Sequence, residues 1–201
     1  MLVRIKIAIW IACLSPLVFL IYLAATQQLG PDPGKALTDN LGLWALRLLL
    51  VVLLLRPLRE LTGMPQFVQV RRLVSLFVWF YASAHFMAGM FYVIGWSWLD
   101  LLKAFDERRY ITLGILAWVL MLPLGLTSNR WAQRKLGTRW RKLHRLVYPL
   151  AILACLHFIW LVREDYWQPF LYSAILILLL VWRIPYLLPL KRFICRSNAA
   201  A

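Results

Sequence analysis

Residues 143–160 read LHRLVYPLAILACLHFIW. The stretch leaves a strongly basic segment, runs apolar for the length of a helix, and carries two of the chain's three histidines, His144 and His157. The third, His85, sits in the middle of another apolar run, 73–95. Ionisable side chains in hydrocarbon are costly and mark function by default. Imidazole is also the usual protein ligand for iron in an apolar pocket. Two helices that each bring one histidine to the same depth can hold a haem between them, and the rest of the chain is read against that possibility.

The chain has 201 residues, 63% of them hydrophobic, with 11 Trp. That composition is far from a soluble domain and indicates an all-α integral membrane protein. Little length remains for a soluble nucleotide- or substrate-binding domain, so the chemistry of any partner must come from other proteins. The net charge of +15 would suggest nucleic acid in a soluble protein. Here the basic residues cluster beside apolar runs, as topology signals and contacts for anionic membrane lipid, and no nucleic acid partner is expected. Cys13, Cys155 and Cys195 fall in the first helix, the fifth helix and the C-terminal tail, none in an outer loop, so no disulfide is expected. Arg4 and Lys6 before an apolar run partly imitate a signal peptide, but the run is too long for one and reads as a retained spanning helix.

Six runs are long enough to span, at about 5–25, 41–58, 73–95, 110–126, 146–162 and 169–188. Trp96, Trp98, Trp131, Trp140 and Trp167 lie near run ends, where interfacial aromatics belong. Segment 56–72 has four basic residues against Glu60, and 128–145 has seven and no acid. Segments 26–40, 96–109 and 163–168 are nearly balanced. The basic loops are therefore placed in the cytoplasm, which gives a six-helix bundle in one domain, 1–201, with both termini cytoplasmic. No internal repeat or low-complexity segment changes this picture. Of two charges inside apolar runs, Arg183 lies near the cytoplasmic end of the last and is expected to snorkel. Arg47 either snorkels outward or meets a haem propionate or a quinone oxygen.

His85 follows Arg72 by 13 residues and His157 follows Arg145 by 12, so on outward-running helices both imidazoles lie about 18–20 Å from the cytoplasmic edge. Matched depth makes His85 and His157 candidate axial ligands to one haem iron; the bland alternative is a pair of hydrogen-bonded core histidines. On an ideal helix His144 would face about 140° away from His157. Pro149 between them can change that, and a solvated interfacial histidine is the alternative for His144. Counted from Arg163, His157 lies about 9 Å from the outer surface, which favours delivery of electrons outward.

With these residues in place, the chain resembles the MsrQ (YedZ) family, haem-binding membrane subunits within the ferric-reductase-like transmembrane superfamily. The resemblance runs nearly end to end, through GPDP at 30–33, RPL at 56–58, RRLVSL at 71–76, RRYITLG at 108–114, LGLTS at 124–128, RKLGTRWRKLHRLVY at 134–148, and the isolated His85 and His157. It implies a bacterial inner-membrane, multi-pass cytochrome with haem b. Electrons would come from the quinone pool or a cytoplasmic flavin reductase. They would go to a periplasmic molybdopterin-dependent reductase (MsrP-like) that repairs oxidised methionine. The family is also described as using FMN; no flavin motif is visible here. Two-haem members of the superfamily pair histidines on each of two helices. Here Arg71 or Arg72 stands where the partner of His144 would be, suited to haem propionates, to a quinone or to topology. His144 is thus the lesser candidate, for a second haem. The chain reads as an electron-transfer subunit without a substrate-reducing site of its own. The alternatives are a ferric or other small-molecule reductase subunit using the same haem, and a non-redox membrane protein.

The charge pattern makes a direct prediction. A reporter fused after Ala201 should be active only if it works in the cytoplasm; activity of an export-dependent reporter at that point would refute the topology.

Overall fold

The central helix begins where Asp32 caps it, its carboxylate accepting from the Lys35 amide at 2.9 Å with Pro33 at the first helical position. The cap starts this helix well before the expected residue 41, so Lys35 and Asp39 become a surface ion pair on its first turns. In the computed structural model, which describes residues 2–183, the order is α1 (Leu2–Ala25), α2 (Pro33–Thr62), α3 (Gln66–Ala88), α4 (Trp98–Glu107), α5 (Arg109–Leu126), α6 (Arg130–Leu136), α7 (Thr138–Leu143), α8 (Val147–Leu161) and α9 (Trp167–Val181). All regular structure among the described residues is helical. Five segments are long and apolar enough to cross a membrane: α1, α2, α3 with the π turn Gly89–Val93, α5, and Thr138–Leu161. The sixth expected run appears as the shorter apolar helix α9. Its expected end, together with Lys191, Arg192, Cys195 and Arg196, lies outside the described residues.

Two expected loops carry structure that periodicity over short polar stretches did not show. Segment 96–109 contains α4, capped by Ser97. Segment 128–145 folds into α6, capped by Asn129, and α7, with Gly137 at φ 49° between them. A 3-10 turn, His144–Leu146, then leads into α8. Pro149 falls in the first turn of α8, where no intrahelical N–H is lost, so it does not kink the helix interior.

Helix α2 is the core of the bundle. Leu46, Leu49, Leu50, Val52 and Leu53 are buried along it, and α3, α8, α9 and α1 pack around it. Two antiparallel hairpins, α2 with α3 and α5 with α8, make the most extensive contacts. Helix α1 leans on α3 through the Tyr81 hydroxyl, which donates to the Cys13 carbonyl at 2.7 Å, and through an edge-on Trp10–Phe77 contact. Ile11, Val18, Leu116 and Leu178 face outward, as an apolar solvent requires.

Arg183 corrects the snorkelling expectation. It is 2% exposed and points inward, donating to the Leu53 carbonyl at 2.6 Å and the Tyr148 hydroxyl at 2.9 Å. The cause lies in α2. Pro57 has no N–H to give the carbonyl four residues before it, which is that of Leu53, and in hydrocarbon an unmet carbonyl is expensive. The guanidinium replaces the missing donor. In α1 the Ser15 hydroxyl does the same for Ala12, four residues before Pro16, at 3.1 Å. Trp182, donating to Glu60 at 3.0 Å, adds a second tie between α9 and α2.

Arg183→Met should therefore lower stability by about 1–3 kcal/mol by leaving the Leu53 carbonyl unmet. Adding Pro57→Ala should recover much of the loss, because the new amide reaches that carbonyl. Thermal unfolding in detergent of the two single variants and the double variant measures the coupling; strictly additive effects would show that Arg183 holds the helices by some other contact.

Candidate functional site

His85 on α3 and His157 on α8 come together between the two hairpins, with ring centroids 6.0 Å apart and planes at 76°. Each ring is tethered by its Nδ1 to a carbonyl of the partner helix in its own hairpin. His85 Nδ1 lies 2.8 Å from the Thr38 oxygen and His157 Nδ1 lies 2.6 Å from the Tyr110 oxygen. A carbonyl only accepts, so Nδ1 carries the proton in both rings and Nε2 presents its lone pair. Nε2 of neither ring has a hydrogen bond among the described residues. This is the second-contact pattern of metal-ligating histidines, in which one nitrogen is fixed by an acceptor so that the other is aimed.

The two tethers are built alike. Both bonds join residues 47 apart in the chain. Each acceptor is followed one turn later by a glycine, Gly42 after Thr38 and Gly114 after Tyr110, against which the ring lies. The sequence around them repeats: Leu41-Gly42 matches Leu113-Gly114, and ASAHF at 82–86 matches ACLHF at 154–158. The repeat is confined to the few positions that contact the imidazoles, and the surrounding apolar residues differ because many side chains fill a lipid-facing surface equally well.

The geometry fits a haem. Two imidazole–metal bonds of about 2 Å each, plus the ring on either side, place the centroids about 6 Å apart. No third His, Cys, Asp or Glu joins the pair among the described residues, so the chain offers an iron two axial positions and leaves the equatorial ones to a macrocycle. Ala82 and Ala154, each three residues before its histidine, are small neighbours on the same helix faces. Phe86 stacks on Trp118 at 4.1 Å, and Trp118 donates to Ser83 at 3.3 Å. The sequence reading missed Thr38, Gly42, Tyr110 and Gly114; the repeated Leu-Gly pair at matching distance from each histidine was the available signal.

His144 and the two arginines lie at the other end of the hairpins. Arg72 is 13 residues from His85 on the same helix, about 20 Å of rise. There a cavity of about 380 Å³ is lined by Arg71, Arg72, Ser75, Trp79, Ser128, Asn129, Gln133 and His144. His144 is half-buried, beside the exposed Lys142 and Arg145. Its Nε2 pairs with the Thr127 hydroxyl at 3.1 Å and its ring lies on Trp140, whose own N–H is held by the Thr127 carbonyl at 3.0 Å. It also starts the 3-10 turn, outside α8, so the ideal-helix angle to His157 does not apply to it. Neither Arg71 nor Arg72 forms an ion pair among the described residues, and the volume is within the range of organic-cofactor sites, roughly 300–1,000 Å³. Arg47, by contrast, is tied to the Tyr172 hydroxyl at 2.8 Å and lies 4.9 Å from the centroid of Trp44. Cys155 is buried and bears a free thiol within α8.

Comparison with known proteins agrees with this architecture. The family described as ferric reductase like transmembrane component matches residues 41–155, which include His85, His144, Tyr110 and both glycines and end two residues before His157. A protein of Bordetella pertussis named protein-methionine-sulfoxide reductase heme-binding subunit MsrQ is 44% identical over 183 residues, covering 90% of this chain and 89% of its own. Proteins of the same name from Xanthomonas campestris pv. campestris strain B100 and Xanthomonas euvesicatoria pv. vesicatoria are 42% and 38% identical. They cover 87% and 96% of this chain and 80% and 91% of their own lengths. With matches of this extent, the chain belongs to the MsrQ family of ferric-reductase-like transmembrane proteins.

Proposed function

We propose that this chain is a membrane cytochrome b, the electron-transfer subunit of a periplasmic methionine sulfoxide reductase system in the bacterial inner membrane. The observation that carries the reading is the His85–His157 pair, 6.0 Å apart, with both Nδ1 atoms tied to backbone carbonyls and both Nε2 atoms unpartnered. When bound there, haem b supplies a reversible one-electron iron couple. The chain's own part is to supply two neutral ligands, fix their orientation and exclude water. The relatives' printed name supports the partner, a reductase acting on methionine sulfoxide; a molybdopterin-dependent soluble protein outside the membrane is the form proposed.

Direction follows from placement. The histidine pair contacts the first turns of α2 and α5, which begin at the ends of the nearly neutral loops assigned to the outside. An outer acceptor can thus approach closely. At the cytoplasmic end, the cavity of Arg71, Arg72 and His144 is the proposed place for the donor-side group. That group is a quinol from the membrane pool, FMN serving a cytoplasmic flavin reductase, or a second haem on His144. Each is a flat ring system with oxygen atoms that two unpaired guanidinium groups can meet. The ferric or small-molecule reductase alternative uses the same haem and differs only in the acceptor.

A reduced-minus-oxidised spectrum of the purified chain should show a low-spin b-type haem. His85→Ala or His157→Ala should each remove its main signal, and His144→Ala should leave most of it. Equal loss in all three would mean that His144 supports the same haem.

The acidic residues of α4, Asp100, Asp106 and Glu107, are exposed, in the loop that the charge pattern assigns to the outside. Replacing all three with Lys should slow electron transfer to the soluble reductase several-fold with no change in the haem spectrum. Unchanged transfer there, with collapse when the basic segment 128–145 is altered and a cytoplasmic acceptor supplied, would send the electron inward and overturn the repair role.

A further inference from the structure

We infer that Gly42 and Gly114 are positioning residues that hold the two imidazole planes close to perpendicular, which sets the electronic character of the iron they ligate. The inference rests on the haem reading above and adds what determines the orientation of the ligands. In an α-helix the carbonyl of one residue is flanked by the side chain four positions on, so a flat ring from another helix lies closely against that oxygen most readily where this side chain is missing. Both acceptors meet that condition. Thr38 is followed by Gly42 and Tyr110 by Gly114, and the approach is close. A Cβ built on Gly42 would sit 2.8 Å from Cε1 and Nδ1 of His85, and one on Gly114 would sit 2.8 Å from Cε1 and Nδ1 of His157. A methyl group at either place must push the ring off its carbonyl.

With the ring pressed on the glycine and its Nδ1–H on the carbonyl, rotation about the bond to iron is lost and the plane is set by the direction of the helix. The two hairpins fix the two planes separately, and the result is the 76° between them. Axial imidazoles with parallel planes lift the degeneracy of the two iron d orbitals that overlap with the rings. Perpendicular planes leave those orbitals nearly equal in energy, which gives oxidised low-spin iron a strongly anisotropic magnetic signature and removes one source of stabilisation of the ferric state. The occurrence of the same device twice, at equal chain spacing, is an independent argument that it is not incidental packing.

The test is low-temperature electron paramagnetic resonance of the oxidised, purified full chain, together with its midpoint potential. Wild-type protein should show a single low-field, strongly anisotropic feature; an ordinary three-line rhombic spectrum would overturn the perpendicular arrangement, and needs no variant. Gly42→Ala and Gly114→Ala should each lose that feature and shift the potential. Gly89→Ala, whose added Cβ meets only Thr38 Cγ2 at an ordinary 3.8 Å, should match wild type. If Gly42→Ala and Gly114→Ala bind haem with the wild-type spectrum and potential, the glycines have no positioning role. A wild-type chain that purifies without haem would instead sink the haem reading itself.

Discussion

Within a bilayer a polar group that no other polar group meets is costly, and this constraint decides how the helices of this protein meet. Lipid competes on equal terms with Leu and Val for apolar surface, so shape and hydrogen bonds decide how the helices meet. The bonds that join helices here are few and specific. His85 binds Thr38, His157 binds Tyr110, Tyr81 binds Cys13, and Arg183 reaches the carbonyl that Pro57 leaves without a donor. Each closes a deficit that hydrocarbon would otherwise make costly.

The same bonds connect structure to chemistry. An imidazole that donates its Nδ1–H to a carbonyl for reasons of solvation keeps that proton and leaves Nε2 with a free lone pair, the neutral form that binds iron. The tether that satisfies the membrane thus also selects the tautomer. Glycine one turn beyond each acceptor is what lets the ring reach it. The duplicated hairpin delivers two such rings across one gap, and the departure from duplication at the other end, Arg72 where the second hairpin has His144, makes the two ends of the bundle chemically different. One end offers two matched ligands. The other offers a cavity with two cations that form no ion pair among the described residues and a histidine held by Thr127 and Trp140.

The amino-acid order by itself determined the apolar runs, their boundaries within a turn or so for α1, α5 and α8, and the equal depth of His85 and His157, because rise per residue is constant along a helix. It also marked the positions that carry the family resemblance. Rotation about the helix axes and the pairing of one helix with another were decided only by tertiary structure. Periodicity cannot supply these, since a helix apolar all round has no preferred face. Hence the carbonyl partners of the histidines, the inward turn of Arg183, the cavity at Arg71 and the restart of the chain at His144 emerged only on folding. Each depends on which neighbour lacks a side chain or a donor at the point of contact, and that property belongs to a pair of helices and to neither alone.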